Sequence, residues 1–423
     1  MQGTQRLAGA ALLITAALLA GCAAAPGRAP QPGAAAEAAD PVHGYIAGAE
    51  EMAGPQTRLA TVDSATGRTS VLDLTDVDGA PTTAGTFPGT TALAADGRYA
   101  FLANAATGTV QVVDAGGWAV DHGDHKHYYR APVRGLGRLD GAGAARVAAG
   151  DGRVAVFFAD GGYAAILERE DLDAGVLRES VRITTGRHDG VVVPFAGHFA
   201  ASIPGGAQDS AAAGDRVEIR ATDNSVAAAI DPACPGLAGH AVVRKGVVFN
   251  CADGALLVSE DDGTFTGRKI PYPAGTPAQQ RAVQLSHRPG TNELAGPAGT
   301  SGIWHLDVAA GAWTLLPTGS AVLAAAAVGD GRTVLAVDAD GALSARDAAT
   351  GSITARTPLL APGGALPDGA APRTPALAID TSRAYLNDPA TGAVYEIDYA
   401  DALRTARTLD AGHPASLLVE TGR

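Results

Sequence analysis

The stretch Asp347-Ala-Ala-Thr-Gly351 returns almost unchanged as Asp388-Pro-Ala-Thr-Gly392, and this repetition decides the fold. Earlier copies are Asp63-Ser-Ala-Thr-Gly67 and Asn104-Ala-Ala-Thr-Gly108, and Asp307-Val-Ala-Ala-Gly311 is a looser one. The first side chain of each copy can hydrogen-bond its own backbone, and the glycine supplies a positive φ, so the motif predicts a tight turn. The copies at 63 and 104 and those at 347 and 388 are 41 residues apart, and those at 307 and 347 are 40 apart.

Short apolar runs rich in β-branched and aromatic residues lie around these turns, as expected of strands. The clearest runs are Tyr99–Ala103, Val110–Val113, Val154–Phe158, Thr333–Val337 and Val394–Ile397. A second turn, Asp-Gly-Arg, begins at Asp96, Asp151 and Asp330. Strand–turn–strand units of about 40 residues are typical of β-propeller blades. The sequence therefore predicts an all-β fold of the β-propeller class.

We predict eight blades, with seven as the alternative count. Their bounds are 43–84, 85–130, 131–182, 183–233, 234–275, 276–317, 318–364 and 365–412, with insertions in the third and fourth. The final run, Ser416–Glu420, is predicted to pair with the first blade. Pairing of the N- and C-terminal strands would close the ring and remove an open sheet edge.

Three of the ten histidines and two carboxylates fall within the nine residues Asp121–Tyr129. Imidazole and carboxylate are ligands that suit Zn²⁺, so short His-rich tracts are interpreted as metal sites. In an extended segment the Cβ atoms of His125 and His127 project to the same side. His122 or Asp124 can then reach the same ion from the bend. The alternative is a solvated polar loop that binds nothing.

A second candidate stretch is Gly186-Arg-His-Asp-Gly190, which precedes the apolar run Val191–Phe195. In a propeller, the loop that leads into a blade's first strand lies beside the central channel. We therefore expect His188 and Asp189 to meet the histidine cluster at the end of blade two, although an Asp-Gly turn with an incidental histidine fits the same letters. His240 occupies the equivalent loop of blade five and is a further candidate ligand. The remaining histidines are predicted to be structural (His198, His287, His305) or lie where the ring closes and are left unassigned (His43, His413).

The chain begins with a segment typical of an exported lipoprotein. Arg6 is followed by the apolar run Leu7–Ala20, which has the length of a signal-peptide core and is short for a bilayer span. It ends in Leu19-Ala-Gly-Cys22, which resembles the lipobox of bacterial lipoproteins. Residues 1–22 are therefore predicted to be a signal peptide and Cys22 the lipidated residue. The alternative is a plain secretory peptide cut near Ala23–Ala25.

This start predicts an extracytoplasmic protein, anchored by its N-terminal lipid to the outer face of the bacterial cell membrane. Residues 23–41 are rich in Ala, Pro and Gly and predict a disordered tether, which leaves 42–423 for the propeller. Cys234 and Cys251 form an even pair in an oxidising compartment and predict one disulfide. A cysteine-based metal site would lack neighbouring ligands. The net charge of −13 excludes a basic footprint for nucleic acid, and we expect a monomer.

Four segments together resemble the AztD-type zinc metallochaperones, which are exported β-propellers associated with a zinc ABC transporter of the AztABC kind. The segments are Val120–Tyr129, Val154–Phe158, Arg187–Gly190 and Cys234–Leu237. The resemblance covers the whole propeller, and the histidine cluster is its most specific part. It implies that the protein binds Zn²⁺ and delivers it to the transporter's solute-binding protein, an AztC-like partner.

The resemblance implies that His122, His125, His127 and His188 are zinc ligands. The sequence departs from the family in two places. Members carry a histidine directly after the Cys-Pro-Gly-Leu motif, where this chain has Ala238 and places His240 two residues later. A His-rich N-terminal arm is also missing, because residues 23–42 contain no histidine. A second, labile site is therefore less supported than the main one.

A carrier needs ligands that hold zinc and still exchange. Histidines combined with an oxygen donor or an open position meet this requirement, and Asp121, Asp124 or Asp189 can instead accept the distal imidazole N–H. Because protonated imidazole cannot bind a metal, zinc affinity is expected to fall below about pH 6.

Three other interpretations share parts of this pattern. A zinc-dependent propeller hydrolase would use the same histidines with an open position and a general base. A surface-displayed interaction scaffold would leave the cluster without a metal function. Copper and nickel also bind imidazole, although the presence of only Met1 and Met52 argues against a copper(I) carrier. The sequence contains neither a Gly-x-Ser-x-Gly elbow nor a His-Glu-x-x-His motif. We therefore predict a zinc carrier that is not an enzyme.

Overall fold

The computed structural model describes residues 44–76, 79–206, 209–282, 284–362 and 374–423. Within these ranges the chain is all-β, with one short α-helix, α1 (Arg169–Asp173), and one 3-10 turn (Ala278–Gln280). The predicted signal peptide, lipidated Cys22 and tether lie outside the described residues. None of the helical segments in the described ranges has the length and apolar character needed to cross a membrane.

The strands of the first half of the chain follow in order. They are β1 (Glu50–Met52), β2 (Arg58–Val62), β3 (Arg68–Asp73), β4 (Thr82–Thr86), β5 (Ala92–Ala95), β6 (Tyr99–Asn104), β7 (Thr109–Asp114), β8 (Gly117–Asp121), β9 (Lys126–Arg130), β10 (Arg134–Asp140), β11 (Ala145–Gly150), β12 (Arg153–Phe158), β13 (Tyr163–Glu168), β14 (Val181–Thr184), β15 (Arg187–Asp189), β16 (Val192–Phe195), β17 (His198–Pro204) and β18 (Asp209–Arg220).

The second half continues the same alternation of short strands and turns. Its strands are β19 (Val226–Ile230), β20 (Gly239–Val243), β21 (Gly246–Cys251), β22 (Gly254–Asp261), β23 (Thr264–Pro271), β24 (Glu293–Pro297), β25 (Gly302–Asp307), β26 (Ala312–Pro317), β27 (Val322–Ala327), β28 (Thr333–Asp338), β29 (Ala342–Asp347), β30 (Ile353–Pro358), β31 (Leu377–Ile379), β32 (Ala384–Asn387), β33 (Ala393–Asp398), β34 (Arg404–Asp410) and β35 (Leu417–Thr421).

Antiparallel sheets of mostly four strands succeed one another along the described chain. Their strand orders are β35-β2-β3-β4, β5-β6-β7-β10, β11-β12-β13-β14, β16-β17-β18-β19 with β15 parallel beside β18, β20-β21-β22-β23, β24-β25-β26, β27-β28-β29-β30 and β31-β32-β33-β34. A further sheet, β1-β9-β8, stands outside this series. The architecture agrees with the predicted all-β class.

Neighbouring sheets pack face to face, and strand β12 illustrates why a strand between them is apolar, here from Val154 to Phe158. Side chains alternate between the two faces of a strand. Val154, Val156 and Phe158 pack with residues of β6 and β7 on one side. Ala155 and Phe157 pack with residues of β16 and β17 on the other. A strand buried on both faces needs apolar side chains throughout, and each large one stabilises the fold by about 1.5–3 kcal/mol.

The repeated turn has the predicted geometry. In its first copy the Asp63 carboxylate accepts the Ala65 N–H at 3.0 Å and the Thr66 hydroxyl at 2.7 Å. Gly67 has φ +79° and donates its N–H to the Asp63 carbonyl at 2.7 Å. An added Cβ at Gly67 would lie 2.3 Å from the backbone of Phe87, so both the conformation and the space require glycine.

The predicted boundary between the second and third units at 130/131 is wrong. Strand β10 belongs to the second sheet, because it pairs with β7 in a register that places Leu139 opposite Val110. The histidine-rich hairpin β8–β9 is therefore an insertion between the third and fourth strands of that sheet, and it does not end the unit. β10 carries no β-branched residue and is largely exposed, so its strand signal is weaker than that of the hairpin.

Two predicted long-range links are present. Strand β35 pairs with β2, with Leu59 opposite Glu420 and Val62 opposite Leu417, which joins the last run of the chain to the first four-stranded sheet. Cys234 and Cys251 form a disulfide, and both are buried.

Candidate metal site

The hairpin β8–β9 folds back on itself within two residues. The His122 N–H donates to the His125 carbonyl at 2.9 Å, so Gly123 and Asp124 form the loop. Gly123 has φ +87°, and the Asp121 carboxylate accepts its N–H at 2.8 Å. Two-residue hairpin loops use turn types whose twist matches that of the strands. One of these turn types has glycine at the first position, because that position needs a positive φ.

This fold-back brings three histidines to one face. His122 lies opposite His125 across the turn, and His127 follows His125 by two residues, on the same side of the strand. The ring centroid of His122 lies 5.2 Å from the centroid of His125 and 5.2 Å from that of His127. The centroids of His125 and His127 are 4.9 Å apart. The Nε2 atoms of His125 and His127 are 3.0 Å apart. The three imidazoles therefore converge.

A carboxylate contacts the far nitrogen of two of these rings. Asp124 Oδ1 lies 2.7 Å from His125 Nδ1, and Glu51 Oε1 lies 2.6 Å from His127 Nδ1. Glu51 reaches His127 because β1 pairs with β9 and places Glu51 opposite Tyr129, on the same face. A carboxylate at Nδ1 favours the tautomer that keeps the proton there and leaves Nε2 as a metal ligand.

The distance between the two Nε2 atoms then has a chemical consequence. Two ring nitrogens 3.0 Å apart are close enough to share a hydrogen in an N–H···N bond or to bind one metal ion together. Two nitrogens that each bind Zn²⁺ at 2.0–2.1 Å in tetrahedral geometry lie about 3.3 Å apart. A shift of a few tenths of an ångström therefore converts this pair into half of a zinc site.

The described residues contain no group of three or more His, Cys, Asp or Glu side chains that could hold a metal ion as it stands. The nearest third imidazole is that of His122, whose ring centroid is equally close to the other two. The donors are chemically suited to Zn²⁺, since three imidazoles supply the ligands and two carboxylates balance the charge of the ion.

The tip of the hairpin is open to solvent, whereas its base is held firmly. The His125 side chain is 57% exposed and that of His127 is 27% exposed. At the base, Trp118 stacks on Tyr129 with ring centroids 5.3 Å apart, and the Arg98 guanidinium lies 3.8 Å from the Trp118 ring. Arg98 is itself buried in an ion pair with Asp114 at 2.6 Å. Ligands at the tip are thus accessible on a fixed support.

The opposite face of the hairpin has a different environment. Lys126 and Tyr128 line a cavity of about 530 Å³ together with Asp380 and Arg423. The Lys126 ammonium also pairs with the Asp121 carboxylate at 2.9 Å. The histidines therefore do not point into this cavity, because successive residues of a strand face opposite sides.

His188 lies far from the hairpin, so the prediction that the two stretches converge on one ion is wrong. Neighbouring strands of an antiparallel sheet run in opposite directions. The hairpin follows β7, and β7 ends at the side of the second sheet where the turn at Asp96 lies. His188 follows β14 at the other end, where its N–H donates to the Ala159 carbonyl and it shares a cavity of about 530 Å³ with Ala105. Strands of about six residues separate these ends by about 20 Å.

The ring of His188 is also engaged by the protein. It is buried, its Nδ1 lies 2.8 Å from the Gly186 carbonyl, and its Nε2 lies 2.7 Å from the Ser202 hydroxyl. Burial lowers its pKa. Asp189, the other candidate in this stretch, accepts two hydrogen bonds from Arg146 at 3.0 and 2.9 Å. Both side chains thus contact protein groups.

His240 lines a cavity of about 460 Å³ on the inner strands, together with Arg146 and Asn250. Loss of hydration, with a smaller contribution from the Arg146 charge, lowers the pKa of His240 to about 4. A neighbouring cation disfavours a second cation, so this position is a poorer metal site than the hairpin. The remaining histidines of the described chain hydrogen-bond or pair with protein groups: His198, His287, His305 and His413.

Sequence reasoning missed Glu51, which contacts His127 from 76 residues away. No spacing rule connects the two residues, because the contact depends on β1 pairing with β9. The only local signal is the acidic pair Glu50-Glu51 at the start of the described chain.

Comparison with known proteins places this architecture among propeller-type structures. No family model matches the sequence. The structure is similar to the crystal structure of Citrobacter koseri AztD, with a TM-score of 0.72, 20% sequence identity, and coverage of 87% of this chain and 98% of that one. The structure of apo AztD from the same organism matches with a TM-score of 0.73, 19% identity and the same coverage. The predicted resemblance to AztD-type proteins is thus confirmed at the level of the fold.

The same fold also supports different chemistry. The dihydro-heme d1 dehydrogenase NirN, in complex with DHE, matches with a TM-score of 0.53, 15% identity, and coverage of 88% of this chain and 76% of that one. Because one fold serves unrelated functions, the function has to be argued from the site.

Proposed function

We propose that this protein is an extracytoplasmic zinc carrier. It binds one Zn²⁺ as cargo through His122, His125 and His127 and delivers the ion to the solute-binding protein of a zinc ABC transporter. The observation that carries the proposal is the convergence of three imidazoles on one hairpin face, with two Nε2 atoms 3.0 Å apart. The similarity in fold to AztD supports the same function.

The exposure of the site suits transfer. Three histidine ligands leave a tetrahedral ion one open position, which a donor from the partner can occupy before the first imidazole leaves. The His125 ring is more exposed than the His127 ring, so His125 is the natural first leaving ligand of this pair. Glu51 and Asp124 hold the Nδ1 protons of the two rings throughout, so each freed imidazole keeps its orientation.

The proposed carrier is held at the cell membrane by its N-terminus. The chain is a lipoprotein anchored through Cys22, and the tether gives a monomeric, eight-bladed propeller reach above the membrane surface. Pairing of β35 with β2 supports a ring closed by its two ends. The acidic surface, with a net charge of −13, favours attraction of cations.

The proposal is tested by zinc content after exhaustive dialysis, with His125→Ala/His127→Ala as the variant and His198→Ala as the matched control. The wild type and the control are expected to retain one zinc per chain, and the double variant is expected to lose it with its thermal melting in EDTA unchanged. Retained one-to-one binding in the double variant would refute the site.

Function as a carrier is tested separately. Zinc-loaded protein is mixed with the candidate solute-binding protein, the two are separated, and zinc is measured on each. Transfer faster than release to buffer supports a carrier. Turnover of ester or phosphoester substrates by the zinc-loaded protein would instead identify a hydrolase, and tighter binding of copper or nickel in competition would change the assigned cargo.

A further inference from the structure

A cavity of about 620 Å³ lies along inner strands of the propeller, apart from the hairpin histidines. Much of its wall is apolar and comes from β27, β31 and β35: Leu323, Leu377, Ile379 and Leu418. Pockets of roughly 300–1,000 Å³ with an apolar lining and a few polar groups are typical of small-molecule sites.

One carboxylate in this wall is buried without a hydrogen bond. The Glu420 side chain is 3% exposed, and its nearest cation is Arg423, whose Nε lies 3.7 Å from Oε1. Within the described ranges no group donates a hydrogen bond to the Glu420 carboxylate. A buried carboxylate in this state is costly, because it loses hydration and gains little in return. Glu420 and Arg423 therefore line the same cavity as a loose ion pair that leaves hydrogen-bonding capacity on both side chains.

Cationic side chains outnumber acidic ones among the described lining residues of the cavity. Arg281 and Arg423 line it. Loss of hydration lowers the pKa of His287, another lining residue, and the charges of Arg423 and Arg288 add to this effect. Glu420 is the one acidic side chain among the described lining residues. An excess of guanidinium in a protein with net charge −13 favours an anionic ligand.

We propose that this cavity binds a small organic carboxylate with an apolar body. The ligand carboxylate pairs with the Arg423 guanidinium, protonated Glu420 donates its O–H to the same carboxylate, and the aliphatic body packs against Leu323 and Ile379. This inference is independent of the zinc site, because it uses none of the hairpin residues.

The ionisation of Glu420 agrees with this arrangement. Loss of hydration raises the pKa of Glu420 to about 7, the Arg423 charge opposes the shift, and the Asp380 charge adds to it. His287 and Arg281 line the same cavity. Glu420 and Arg423 also line the neighbouring cavity of about 530 Å³, whose other charged and titratable groups are Lys126, Tyr128, Arg288, Asp380, Arg383, Tyr385, Glu396 and Arg407. Since the protonated acid is the hydrogen-bond donor, ligand affinity should be higher at pH 6 than at pH 8.

The experiment uses the full-length protein, 4-methylpentanoate as the probe and 4-methylpentanamide as its uncharged counterpart, with binding followed by ligand-observed NMR titration. At pH 6.5 the carboxylate is expected to bind one-to-one and at least tenfold more tightly than the amide. Arg423→Gln should weaken carboxylate binding at least tenfold, whereas Arg404→Gln, on the exposed strand β34, should leave it unchanged. Glu420→Gln should bind with equal affinity at pH 6 and pH 8.

Three results would overturn the proposal: no binding of 4-methylpentanoate, equal affinities for the acid and the amide, or an Arg423→Gln variant that binds as the wild type does. Zinc content is measured on the same Arg423→Gln protein. It is expected to be unchanged, which separates a failure of this site from a failure of the zinc site.

Discussion

Replacing Glu51 by glutamine should weaken zinc binding without removing a ligand. Glu51 Oε1 lies 2.6 Å from His127 Nδ1 and fixes both the proton and the orientation of that ring. The amide of glutamine preserves the size of the side chain and can still accept a hydrogen bond, but it lacks the negative charge that makes the imidazole a stronger ligand. The substitution therefore isolates the contribution of the charge.

The magnitude follows from the position of the contact. Carboxylates that hydrogen-bond a metal-binding histidine contribute 10- to 100-fold to metal affinity. The Glu51 side chain is 49% exposed, so solvent screens part of its charge and the lower end of this range applies. We expect the zinc dissociation constant of Glu51→Gln to rise about tenfold, or about 1.4 kcal/mol.

The assay is competition between the protein and a chromophoric chelator of known zinc affinity. Glu50→Gln is the matched control, because it removes the same charge from the same strand, and Glu50 pairs with Arg130 rather than with a histidine. The control should change the dissociation constant less than twofold. Equal effects of the two substitutions would refute the orienting role, since only the general field of the acidic strand would matter. A loss above about a thousandfold would refute it too, because Glu51 would then be a direct ligand.

Two further predictions concern stability. The pKa of His240 is lowered to about 4 in the folded protein from an ordinary value of 6.5. The contribution of His240 to the free energy of unfolding is therefore complete above pH 6.5 and is lost as pH falls towards 4. Urea titrations should show that the wild type loses up to about 3 kcal/mol more than His240→Gln between pH 7 and pH 4, and parallel losses in the two proteins would contradict the assignment. Replacing both Cys234 and Cys251 by serine opens a loop with a sequence separation of 17 residues and should lower the free energy of unfolding by about 3 kcal/mol. Urea midpoints of the double variant and of the reduced wild type should agree, and an unchanged midpoint in the variant would argue against the disulfide.

The hairpin illustrates what a local pattern can predict. The turn residues Gly123 and Asp124 and the spacing of His125 and His127 are all contained in nine consecutive letters, and their geometry depends on backbone preferences over that same range. The convergence of three imidazoles was therefore within reach of sequence reasoning. The contact from Glu51 was not, because it depends on a pairing between strands that lie far apart in the chain.

His188 illustrates the opposite case. Its stretch has the composition of a site, and it precedes β16, an apolar strand, as the sequence predicted. Its distance from the hairpin depends on the number of reversals between the two stretches, and the assignment of β10 to the second sheet changes that number by one. One miscounted strand therefore moves a residue from one end of the sheets to the other.

The sequence by itself determined the repeated turn, the apolar strands, the paired cysteines and the histidine-rich hairpin, because each rests on the conformational preferences and chemistry of neighbouring residues. Only the tertiary structure decided which end of the sheets each loop occupies, which carboxylate meets His127, and that Glu420 and Arg423 face one cavity. These relations depend on the direction and pairing of strands that are distant in sequence, and no local preference encodes them.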